Sequence, residues 1–176
     1  MNRSVLNVIV RLALAFGLTI GVFLLLVTPW RNFEARVITD IFRAIGVTRA
    51  SQAFGNQILV LPTHSSPFLA TITPSCSALA AILGFAAISL FVVTGSVQKR
   101  ALAFLAASTV VLACNFLRIG LSTYVGVRTS AQGLTVFHDW IGTAFGLLYV
   151  LAGFTLYLWV LLPSNKTLLK EYTDGS

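Results

Sequence analysis

Three side chains in this sequence could act together on a carbonyl group: Cys76 in TPSCSAL, Arg118 in NFLRIG and His138 in VFHDWIG. A thiolate is a nucleophile, an imidazole titrating near neutral pH moves protons, and a guanidinium stays charged beside a developing oxyanion. Each also has a plainer use. A cysteine packs as a small apolar side chain, and an arginine at a helix end can snorkel to the interface and favour the helix dipole. Asn115 precedes Arg118 by three residues on nearly the same helical face, where it can orient the guanidinium, contact substrate or bond a neighbouring helix. Asp139 adjoins His138, but consecutive helical residues point about 100° apart, so adjacency alone does not make a His/Asp pair. Of the remaining candidates, His64 in LPTHSSP reads as part of a turn and Cys114 as a buried structural thiol. A Cys76 to Cys114 disulfide is possible by count, although the two depths are not matched.

The elements that must position these residues are membrane helices. The chain has 176 residues, 57% hydrophobic and 10% charged, a composition outside the soluble-domain range. Four apolar runs, about Val5 to Val27, Cys76 to Val97, Ala101 to Leu117 and Trp140 to Leu162, approach the roughly 20 helical residues that cross about 30 Å of hydrocarbon. The first is read as a retained helix, because LLLVTPWRNF is a poor signal-peptidase site. The formal charge of +7 is read as helix-end anchoring against anionic headgroups, with no nucleic-acid partner. Neither a zinc-type Cys/His spacing nor a glycine-rich phosphate loop is present, so no metal or cofactor is expected.

Arg3 and Arg11, the Lys99-Arg100 turn, and Lys166 with Lys170 are basic flanks that put both termini in the cytoplasm. The long external segment breaks the pattern with Arg31, Arg36, Arg43 and Arg49. Within it, Arg31 to Val47 reads as a helix lying on the membrane surface, and NQILVLPTHSSPFLATITPS as a β-hairpin over the helix ends. The expected architecture is an all-α integral membrane protein of about four transmembrane helices. It divides into a first helix (1–28), an external loop (29–75), a three-helix core (76–163) and a cytoplasmic tail (164–176).

With that topology Cys76 opens the second span, Arg118 closes the third and His138 opens the fourth, all near the external boundary. Thr73 or Ser75 as a cap, with Pro74 in the first turn, would set Cys76 where the helix dipole favours a thiolate. Trp140 would anchor the interface. Convergence from three helices is a stronger signal than any of the three residues alone.

PSCSAL, NFLRIG and FHDWIGTAFG, in this order and on one membrane side, resemble the exosortase/archaeosortase family over about residues 55 to 155. That resemblance implies a membrane cysteine protease/transpeptidase. Cys76 would be its nucleophile, Arg118 the stabiliser of the transition state or of a substrate carboxyl, and His138 the general acid/base, with Asn115, Asp139 and Ser77 in support. It further implies secreted protein substrates ending in a recognition motif, one transmembrane helix and a basic cluster, cut outside the cytoplasmic (inner) membrane through a thioacyl enzyme and passed to an acceptor. Two departures stand out: many relatives have about eight spans, and Ala78 follows Ser77 where many have glycine. The rival expectations are a non-enzymatic scaffold or export subunit, and a thiol/disulfide carrier using Cys76 and Cys114.

Overall fold

The computed structural model describes residues 3–91 and 96–162. The basic markers Lys166 and Lys170 and the expected tail lie outside the described residues. Helix α1 runs from Arg3 to Ala44 through Pro29 without interruption. The separate surface helix expected at Arg31 to Val47 is therefore a continuation of the first helix, and the expected boundary at residue 28 falls in mid-helix. At about 1.5 Å per residue its 42 residues reach roughly 60 Å, about twice the hydrocarbon thickness.

The expected hairpin forms from β2 (Gln57–Val60) and β3 (Phe68–Thr71), paired antiparallel with Ile58 opposite Ala70 and Val60 opposite Phe68. Ahead of it, β1 (Ala50–Phe54) adds a third strand on the other side of β2. ASQAF alternates too weakly to announce a strand. The turn joining β1 to β2 relies on Gly55, whose φ of 53° is left-handed and costs a glycine nothing.

Helix α2 (Leu79–Phe91) follows a short turn; its 13 residues rise only about 20 Å. Helix α3 (Val97–Arg128) is capped by Ser96, which accepts the Lys99 N–H, and runs eleven residues beyond the expected end at Leu117. Helices α4 (Ala131–Val136) and α5 (Thr143–Leu161) are joined by a π-helical turn, Phe137–Gly142, so the last span begins before Trp140. By length and composition three helical stretches can cross a membrane, Phe16–Ala44, Val97–Arg128 and Ala131–Leu161, with Leu79–Phe91 a shorter apolar helix. The protein is a helical, multi-pass membrane protein.

Two buried clusters hold it. In one, Phe85, Ala107, Val111, Tyr149 and Tyr157 bind α2, α3 and α5. Gly153 makes that packing possible, since a Cβ there would come within 2.9 Å of Val111 Cγ2. In the other, Ile38 and Phe42 of α1, Ile58 and Val60 of β2, and Ile119 and Val127 of α3 fix the sheet across the helix ends. Cys76 belongs to this second cluster and Ala78, two residues on, to the first.

Candidate active site

Cys76 sits in a 3₁₀ turn, Pro74–Cys76, in front of α2 rather than in its first turn. Its N–H donates to the Thr73 carbonyl at 3.0 Å, Ser77 is extended, and the Ser77 hydroxyl accepts the Leu79 N–H where α2 begins. Thr73 makes no side-chain cap; its Oγ1 lies 3.0 Å from Cys76 Sγ and 2.9 Å from Ser75 Oγ.

His138 occupies the π-helical turn. A π turn widens the helix by one residue and re-aims its side chains, a feature common at functional sites. Here it brings Nε2 to 2.9 Å from Cys76 Sγ and Nδ1 to 3.2 Å from Asp139 Oδ1. The two neighbours thus meet despite their adjacency, although Asp139 keeps 62% of its side chain exposed. Trp140 is exposed on the outer face of the same turn.

Arg118 is buried in the body of α3 and neither ends the helix nor snorkels. Its Nη2 lies 3.2 Å from His138 Nε2, and its Nε is buried with no partner among the described residues. Two glycines give it room. A Cβ at Gly142 would approach Arg118 Nε to 3.2 Å, and one at Gly146 would lie 3.7 Å from Nη1. The glycines of FHDWIGTAFG therefore form a flat bed for the guanidinium.

Burial pushes the Cys76 thiol upward. Hydrogen bonds from His138 and Thr73, with the charge on His138, outweigh that push and bring it down to about 7. The expected helix-dipole effect is thus replaced by the imidazole and a hydroxyl. With Nδ1–H turned to Asp139, Nε2 presents its lone pair to the thiol, so a proton can pass from Sγ to Nε2 within hydrogen-bond distance.

Behind this cluster lies a residue that sequence reasoning missed. Glu34 of α1 is fully buried, and its Oε1 accepts from Trp30 Nε1 at 3.1 Å, the Ala78 N–H at 3.0 Å and Asn115 Nδ2 at 3.0 Å. Tyr149 in turn donates to Asn115 Oδ1 at 3.0 Å. Asn115 therefore ties α3 to α1 and α5 instead of bonding Arg118. Ser77 is buried beside Glu34, between the cysteine turn and α2. The available signal was one of two acids, with Asp40, in an arginine-rich segment, which reads equally well as part of a surface helix. Arg31 adds another tether, donating from Nη1 to the Ile72 carbonyl just before the cysteine turn.

His64 is exposed in the β2–β3 connection and does not line the pocket that holds Cys76 and His138. Cys76 and Cys114 are both free thiols, and Cys114 packs with the α2/α3/α5 cluster. Among the described residues no group of three or more His, Cys, Asp or Glu side chains could hold a metal ion. Cys76 and His138 open on a narrow pocket walled by Ile58, Ala70 and Ile72 of the sheet and by Ile119 of α3, with Thr71 at its rim.

Among known families, the transmembrane exosortases match residues 3–159. No curated protein and no solved structure gives a significant match. Because that match runs from the start of the first described helix almost to the end of the last, the chain belongs to the transmembrane exosortase family.

Proposed function

We propose that this exosortase is a cysteine transpeptidase that cuts C-terminal sorting signals of secreted proteins at the external membrane face. The observation that carries the reading is the Cys76 Sγ to His138 Nε2 contact of 2.9 Å, with the Arg118 guanidinium on the same nitrogen at 3.2 Å. Cys76 passes its proton to His138 Nε2 and attacks the scissile carbonyl. Once Nε2 is protonated it can no longer accept from Arg118. The Nη2–H is then free for the tetrahedral oxyanion. Collapse of that intermediate breaks the C–N bond, the leaving amine takes the proton from His138, and a thioester on Cys76 remains. An acceptor nucleophile then attacks the thioester, gives its proton to the imidazole and frees Cys76.

Depth supports an external site. Arg118 lies about 30 Å along α3 from Val97 by helical rise, one hydrocarbon thickness from the basic Lys99-Arg100 end. If that end is cytoplasmic, as short basic flanks favour, the thiol faces the opposite side, where a secreted substrate's segment leaves the bilayer. The inner-membrane location, both termini inside, and a substrate with one apolar helix and a basic cluster belong to this reading.

The test is the processing of a secreted reporter with such a C-terminal signal in cells carrying wild-type protein or Cys76→Ser, Arg118→Ala or His138→Ala, each at normal membrane abundance. Precursor accumulation in all three supports the mechanism. Continued cutting with Cys76→Ser sinks it and leaves the scaffold reading.

A further inference from the structure

The strand beside the site ends in an unused hydrogen-bonding edge. In an antiparallel pair, backbone groups turn toward and away from the partner strand at alternate residues. The Ile72 N–H donates to the Asn56 carbonyl at 3.0 Å, extending the register in which Thr71 faces Gln57 and Ala70 faces Ile58. Ile72, Ala70 and Phe68 therefore bond inward to β2, while the N–H and C=O of Leu69 and Thr71 point away. With the strand order β1-β2-β3, β3 is an edge, and no residue among those described bonds the outward groups.

That edge meets the pocket. The side chains of Ile58, Ala70 and Ile72 share the inner face of the sheet, and Thr71, exposed and on the opposite face, lines the same pocket. Cys76 follows Thr71 by five residues, and His138 lines the same pocket. An open edge running into a nucleophile's pocket fits an extended peptide, which supplies main-chain donors and acceptors at a two-residue repeat of about 6.6 Å.

We propose that the substrate's recognition segment binds as an added strand on β3, bonding the outward backbone groups of Leu69 and Thr71, so that its scissile carbonyl is delivered to Cys76. This rests on the transpeptidase reading and names how that site holds its substrate. Main-chain pairing supplies affinity, and the apolar inner face of the sheet selects alternate side chains.

Proline separates the backbone from the side chain. Leu69→Pro and Thr71→Pro each delete an outward N–H and leave the β2 ladder intact, a position where edge strands tolerate proline. Each should slow reporter processing about tenfold through KM, whereas Leu69→Ala and Thr71→Ala, which keep that N–H, should lose less than their proline counterparts. Cys76 alkylation at the wild-type rate checks that the site is intact in each variant. A proline scan of the reporter segment before the cut tests the same idea on unaltered enzyme, and it should show losses at alternate positions. Proline variants that process normally, alanine variants as poor as the prolines, or a reporter scan without two-residue periodicity overturn the added strand. Cys76→Ser is run alongside: if it also processes, the transpeptidase reading has failed, and if it alone fails, only the added strand is wrong.

Discussion

Replacing His138 with alanine should move the ionisation of Cys76, and the size of the move follows from the site. With the thiol at about 7, close to half of it is thiolate at pH 7. Without the imidazole both His138 contributions vanish and the thiol moves back toward its ordinary 9.0, at which about 1% would be thiolate at that pH. The fraction falls about fiftyfold, but the more basic thiolate is intrinsically about six- to tenfold more reactive in disulfide exchange, given a Brønsted slope of about 0.4–0.5 over two units. The net expectation is exchange about five- to eightfold slower at pH 7 and about six- to ninefold faster at pH 10, with the two profiles crossing near pH 8. The assay is stopped-flow reaction of membranes or micelles with an aromatic disulfide, in a Cys114→Ala background so that one thiol reports. Parallel profiles, or a wild-type inflection near 9, would refute the claim that His138 sets the nucleophile.

Other perturbations divide the site into its parts. Glu34→Ala strands three donors and should cost about 2–4 kcal/mol, read as an earlier midpoint in denaturant titration of mixed micelles, while Glu34→Gln keeps an acceptor and costs about 1 kcal/mol. Gly142→Val drives a side chain into Arg118 Nε and should cut processing about a hundredfold, the scale of losing one oxyanion donor, with Cys76 still reacting with the disulfide at pH 10. Asp139→Asn should reduce turnover less than about tenfold, because water screens its exposed carboxylate. Cys114→Ala should leave processing unchanged; a loss equal to that of Cys76→Ala would favour thiol/disulfide exchange instead.

Residue type and depth made Cys76, Arg118 and His138 legible in the sequence, because polar groups on apolar runs are few and their distances from helix ends can be counted. The hairpin was legible too, from two β-prone runs around LPTHSSP. What escaped depends on the third dimension. Pro29 signals a break in isolation, yet α1 continues through it. Glu34 looked like a surface acid because its three donors come from residues 30, 78 and 115, a set no local window contains. Asp139 looked misdirected under α-helical angles, and a π turn changes those angles. Arg118 looked terminal because the apolar run stops at Leu117, whereas the helix continues under the sheet to Arg128.

The unbroken first helix joins an apolar, membrane-length stretch to the candidate site. Glu34 rides on the same rod as Phe16 and the apolar turns long enough to cross a membrane, and it accepts the Ala78 N–H two residues from Cys76. A tilt adopted to match hydrocarbon thickness is carried along the rod to that carboxylate as a lateral displacement. Turnover measured in vesicles of graded acyl length should therefore pass through an optimum, and Glu34→Gln, with a weaker grip, should flatten it. The membrane is then a setting of the enzyme as well as its location.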